Sequence, residues 1–189
     1  PLISSEFLKE LDELSIPLVW IDHHDVNGSD IDTKEGNVEV FNPSKLGGEN
    51  VPTTYLAYQV SQRKEDLWIA LAGCIADHFL PDFAEDFAKQ FPEFWSKEEL
   101  TDPFDVLFKT EIGKVAQGLG FGLKDSITHV VALQSFLINA KSPNDIFAEV
   151  ESNYNFRLKY QEIKSKYNAI LSKLDDSCIF GNLIFFDYS

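Results

Sequence analysis

The segment Glu65–Phe79, "EDLWIALAGCIADHF", can occupy few places in a fold. Wound as a helix it is apolar on almost every face, so it needs cover on all sides and belongs at the centre of a domain. Two short runs precede it. "PLVWIDHH" (17–24) is nearly continuously apolar and then turns polar, and "VEVFNP" (38–43) is closed by Pro43. Both read as strands of a parallel sheet, the first with a polar carboxyl end. "SSEFLKELDELSI" predicts an amphipathic helix: Ser4 or Ser5 can cap it, Phe7, Leu8, Leu11 and Leu14 recur at helical spacing, and Pro17 ends it. Another helix is expected from Pro52 or Thr53, after a glycine loop.

Past Pro81 the chain becomes acidic and aromatic, and helical patterns follow at 104–117, 124–139, 143–152 and 154–175. The ending "CIFGNLIFFDYS" reads as a strand or the start of a hairpin. The expected fold class is therefore α/β, a parallel-sheet domain with a helical continuation. The chain divides at 1–103 for the sheet domain, 104–176 for a helical extension and connector helix, and 177–189 for the start of a further domain. Its 189 residues suit one domain, or one and part of another, and 44% hydrophobic residues suffice for a core.

Composition narrows the function. No apolar run reaches the roughly 18 residues that cross a bilayer, and no basic-then-apolar leader opens the chain, so no membrane partner and a cytoplasmic location are expected. Cys74 and Cys178 have no metal-type spacing and read as reduced core residues. From the absence of Met, a processed or excised fragment, or a chain lacking some of its residues, is expected. The net charge of −15 disfavours simple backbone binding to nucleic acid, unless divalent ions, a local basic patch or a segment outside this sequence offset it.

Asp22-His23-His24 is the densest chemistry in the chain, since it uses two of only four histidines. Open α/β sheets place ligands outside the carboxyl ends of their strands. Imidazole suits Mn²⁺, Fe²⁺ or Zn²⁺, and adjacent carboxylates suit Mn²⁺ or Mg²⁺. A strand splays successive side chains to opposite faces, so one histidine is expected to face a metal and its neighbour to point elsewhere. Asp77 is the next candidate ligand, because a carboxylate inside an apolar helix is costly unless paired or metal-bound. Gly73, one turn earlier, would allow close backbone approach. The plainer alternative is that Asp77 opens the polar end of the helix beside His78 and Asp82.

Other features read as structural. "GLGFGLK" (118–124) lacks the ending of a phosphate loop and is expected to join two helices. Lys109, Lys114 and Lys124 form a sparse basic cluster. The aromatic run from Phe79 to Trp95 suits core or partner packing, and the acidic face at 82–100 suits solvated surface.

"VWIDHHD", "VFNP", "PTTYLAYQV" and "LWIALAGCIADHF", in that order, resemble the DHH phosphoesterase superfamily, and within it the archaeal RecJ-like exonucleases. The resemblance covers about the first 80 residues. It implies that 1–103 is the C-terminal part of a DHH domain, which hydrolyses phosphodiesters or phosphoanhydrides with two ions, Mn²⁺ or Mg²⁺. It implies that Asp22 supports the site and His23 ligates a metal. His24 would contact the phosphate or the nucleophile, and Asp77 would ligate the metal held by His23. Asn42 and Thr53 or Thr54 would lie near the substrate. The family's two earlier aspartate motifs and its C-terminal Gly/His motif have no counterpart here. The expected function is a RecJ-like exonuclease on single-stranded DNA or RNA, with replication or repair proteins as further partners. The alternatives are a non-catalytic replication scaffold on the same fold, or a pyrophosphatase or an oligonucleotide or cyclic-dinucleotide phosphodiesterase.

Overall fold

A computed structural model describes residues 3–24, 37–43, 48–96, 100–175, 178–181 and 183–185. Nearly all of the polar loop "DVNGSDIDTKEGN" expected at 25–37 and part of the glycine loop near 44–50 lie outside these residues. The chain is mostly helical with a small two-stranded parallel sheet, a mixed α/β arrangement. Helix α1 (Ser5–Glu13) is capped by Ser4, whose side chain accepts from the Phe7 amide. Strands β1 (Leu18–Ile21) and β2 (Val38–Phe41) pair in parallel, with Leu18 opposite Val38 and Ile21 opposite Phe41. Helices α2 (Thr53–Ser61) and α3 (Leu67–Ala76) follow.

Helix α3 lies where its sequence requires. Leu67, Trp68, Ala70, Leu71, Ala72, Cys74 and Ile75 are all buried. Helices α4 (Ala84–Gln90), α5 (Pro103–Lys109) and α6 (Glu111–Gly122) cover it, contributing Phe87, Val106, Ile112 and Val115 to one continuous core. Helix α2 approaches closely at Gly73, where a Cβ would come within 2.7 Å of the Thr54 side chain. Trp68 is fully buried and its indole N–H has no partner among the described residues. Burying a ring of that size contributes about 4–6 kcal/mol, against about 1–3 kcal/mol for the orphaned donor, so packing wins.

Helix α7 (Ile127–Asn139) and the long α8 (Tyr154–Asp175) complete the core through Leu133 and Phe156. A short antiparallel pair, β3 (Cys178–Phe180) and β4 (Leu183–Phe185), turns at Gly181 in the left-handed region, as the hairpin reading expects. Among the described residues no helix is long and apolar enough to cross a membrane.

Two helical expectations are corrected. The span 104–117 is not one helix. Thr110 interrupts it: its hydroxyl donates to the Val106 carbonyl at 2.6 Å and accepts from the Gly113 amide at 3.0 Å, ending α5 and capping α6 in one residue. The glycines of "GLGFGLK" are not a loop but the second half of α6. Three helical glycines cost about 1 kcal/mol each against alanine. Tertiary packing outweighs this, because Gly118 admits the Phe147 ring and Gly122 the Phe156 ring at distances a Cβ would forbid. The helix expected at 143–152 is instead two 3₁₀ turns, Pro143–Phe147 and Glu151–Asn153. The buried Asn153 amide donates to the carbonyls of Asp145, Ile146 and Ala148, which a continuous α-helix would have used internally.

The core carries its own test. Cys74 is buried, and burial pushes its thiol up to about 12, with the Asp77 and Asp82 carboxylates adding to the effect. At pH 8 only about one molecule in 10⁴ would carry the reactive thiolate, even if reagent could enter. Native protein treated with iodoacetamide at pH 8 is therefore expected to keep Cys74 unmodified while denatured protein is fully alkylated, as read by peptide mass mapping. Rapid native labelling would show that α3 is not enclosed.

Candidate metal centre

The site forms where β1 stops. The Asp22 amide makes the last hydrogen bond along the sheet edge, to the Phe41 carbonyl at 3.1 Å. The next two amides are captured by the Asp22 carboxylate, which accepts from His23 N at 2.8 Å and His24 N at 3.2 Å. An aspartate that satisfies its own downstream amides bends the chain, so the strand cannot continue. The same carboxylate oxygen meets His24 Nδ1 at 2.6 Å.

This turn corrects the expectation of splayed histidines. Once the chain leaves the strand, both rings fall on the same side, with centroids 4.5 Å apart. Ligating atoms of Asp22, His23 and His24 all lie within 4.8 Å of one another, and the described residues hold no other such group of three. Asn42, just past β2, is buried and donates from Nδ2 to the His24 carbonyl at 3.0 Å. The neighbouring strand end thus grips the turn from the far side.

Asp77 reaches the turn from α3. Its Oδ2 lies 3.2 Å from His23 Nε2, with the imidazole mostly covered and the carboxylate about half open. It caps the carboxyl end of α3, so both sequence readings of Asp77 describe part of its setting: it opens the polar end of the helix and it faces His23. The helix ends in a Schellman arrangement, with Phe79 N donating to the Cys74 carbonyl and His78 N to the Ile75 carbonyl. His78 occupies the left-handed position at φ 57°, where glycine is usual, and its ring stacks on Phe104 at 4.2 Å.

Burial alone would push the Asp22 carboxyl up, but its hydrogen bonds from the His24 ring and the two backbone amides outweigh this and hold it below the ordinary 3.8. A depressed carboxyl adds stability that is present above its unfolded-state value and is lost as pH falls through its lowered folded value. The contribution of the Asp22 carboxylate is therefore fully present near neutrality.

The donor set fits a divalent cation. His23 Nε2 and Asp77 Oδ2, 3.2 Å apart, are an imidazole and a carboxylate close enough that both would hold one ion. His24 has its Nδ1 against a carboxylate, the arrangement that fixes the tautomer of metal-ligating histidines and strengthens Nε2 as a donor atom. With Nδ1 so engaged, Nε2 is left on a half-exposed ring. Thr53 opens α2, and its side chain makes no hydrogen bond among the described residues, while Thr54 is taken up in packing on Gly73. Asp25 lies outside the described residues. What the sequence did not disclose is the clamp of Asn42 on the His24 carbonyl and the stack of Phe104 on His78; "DPF" at the start of a helix signals an N-terminus and nothing more.

No protein-family model, no curated protein and no solved structure matches the chain.

Proposed function

We propose that the protein is a metal-dependent phosphoesterase of the DHH type, acting on phosphodiester bonds of single-stranded nucleic acid or short oligonucleotides. The observation that carries this reading is the turn in which Asp22 gathers two histidines while Asp77 meets His23 at 3.2 Å. His23 and Asp77 would hold a divalent cation, for which Mn²⁺ or Mg²⁺ matches the mixed imidazole and carboxylate donors. When bound, such an ion supplies Lewis acidity toward phosphate oxygens and lowers the pKa of water.

The remaining work falls to the protein. Asp22 holds His24 through Nδ1 and keeps Nε2 facing outward, where it can take a proton from an attacking water or, once protonated, donate to a phosphate oxygen. Asn42 fixes the His24 peptide so that the ring cannot drift from that position. A cation in the cage would also answer the net charge of −15, drawing phosphate to one point on a largely acidic chain. The family's usual second ion needs ligands beyond these four residues.

The test is hydrolysis by the full chain with Mn²⁺ of end-labelled single-stranded DNA and RNA, a dinucleotide and pyrophosphate, each repeated with excess EDTA. Cleavage that vanishes on chelation is expected, and the preferred substrate separates the nuclease from its phosphoanhydride relatives. A folded protein that binds Mn²⁺ and hydrolyses none of them would sink the reading and leave a scaffold on the same fold.

A further inference from the structure

A line of rings leads away from the candidate centre. His78 follows Asp77 directly and stacks on Phe104 at 4.2 Å. Phe108 stands one turn further along α5, on the same face. Both phenylalanines are open to solvent, 49% for Phe104 and 59% for Phe108. Phe108 then forms one wall of a groove of about 320 Å³ between α6 and α8. Tyr160 and Tyr167 of α8 line it, together with Lys114 and Lys164.

The charge of this groove sets it apart. The chain has 31 carboxylate side chains against 16 Lys and Arg. Yet the described lining holds two lysines and no Asp or Glu. Lys164 lies over the Tyr160 ring at 5.0 Å. Lys114 is paired with Glu111 outside the groove, but that pair is solvent-exposed on both sides and so worth little. Exposed rings for stacking, cations for backbone phosphates and the Asn168 amide for polar edges are the parts of a single-strand binding surface; the Gln117 amide is spent inside, donating to the Leu107 carbonyl at 2.7 Å.

We infer that the path from His78 over Phe104 and Phe108 into the α6–α8 groove carries a single-stranded nucleic acid leading from the metal centre, with bases stacked on the rings and phosphates near Lys114 and Lys164. A duplex, with its bases turned inward, could not use the rings. An acidic peptide would satisfy the lysines but leave the exposed phenylalanines without partners. This inference rests on the phosphoesterase reading, because the track matters only if a strand enters that centre.

The experiment measures anisotropy of a fluorescein-labelled oligothymidylate with the full chain in EDTA, so that binding is read without cleavage. A matched abasic strand of equal charge serves as the second probe. Phe108→Ala is expected to weaken oligothymidylate binding about tenfold and to erase the preference over the abasic strand. Lys164→Gln is expected to weaken both probes and to lower the salt slope by about 0.7. Lys166→Gln, on the same helix but paired with Glu162 outside the groove, should change affinity less than twofold. All three variants are at solvent-exposed positions and are expected to keep the native circular dichroism spectrum, which is measured as the control. Unchanged affinity in Phe108→Ala and Lys164→Gln overturns the track, as does an unaltered chain that binds no strand. Mn²⁺-dependent hydrolysis of a dinucleotide by the unaltered chain is read separately: if it persists, only the track has failed; if it too is absent, the phosphoesterase reading has failed.

Discussion

Gly113→Ala is expected to destabilise the protein by about 2–3 kcal/mol, whereas Gly120→Ala in the same helix should stabilise it by up to about 1 kcal/mol. A Cβ on Gly113 would stand 2.2 Å from the Leu107 carbonyl oxygen and 2.4 Å from that of Val106. Both are backbone atoms at the corner where Thr110 joins α5 to α6, so no side chain can swing aside. Relief requires α5 and α6 to part, which opens the core at Val106 and Ile112, both fully buried. Forcing atoms into a packed site costs about 1–3 kcal/mol and occasionally more; a clash with two fixed carbonyls falls above that range, at about 3–4 kcal/mol, of which the better helix propensity of alanine offsets about 1 kcal/mol. Gly120 has nothing within 4 Å of its would-be Cβ and receives that propensity gain without a clash. Urea denaturation of the two variants reads the contrast. In a domain of this size 2–3 kcal/mol is also a fall in Tm of about 4–12 °C. Two shifts of the same sign would mean that the α5–α6 corner is not as described.

The same corner shows why some of the fold could be read and some could not. Helix α3 was legible because its burial is written in its own residues, apolar on every face. Strands β1 and β2 were legible as short apolar runs with polar or proline ends. The break at Thr110 was hidden, since the apolar spacing of α5 runs on into α6 and only a side-chain hydroxyl decides where one stops. The glycines of α6 misled because helix propensity is local, while the Phe147 and Phe156 rings that require their small size arrive from distant chain. At the candidate site the residue types were legible and the geometry was not. Asp-His-His announced itself, but that Asp22 would end the strand and bring both rings to one side follows from hydrogen bonds to its carboxylate. The meeting of His23 with Asp77 depends on where α3 packs, which no local pattern states.

His23→Ala is expected to lower Mn²⁺-dependent hydrolysis at least 10³-fold, while Asp22→Asn should lower it about 10- to 100-fold and recover in part as Mn²⁺ is raised. The two differ because the side chains do different work. His23 offers Nε2 beside the Asp77 carboxylate, and alanine leaves a single donor where the cation needs several. A loss of 10³ corresponds to about 4 kcal/mol of transition-state stabilisation. Asp22 acts through its neighbours: asparagine keeps one acceptor for the amides of His23 and His24 and for His24 Nδ1, but loses the charge that favours the Nδ1-protonated ring. Removing such an orienting carboxylate typically costs 10- to 100-fold in metal affinity or activity. Part of that loss is weakened binding, so excess metal should restore it, and no metal concentration should restore His23→Ala. Neither change opens the α3 core, to which neither residue belongs, so near-native circular dichroism is expected for both. Titration of Mn²⁺ against activity, beside direct Mn²⁺ binding by electron paramagnetic resonance, separates the two cases. Equal losses with identical metal dependence would show that Asp22 is itself a ligand rather than the residue that sets the turn.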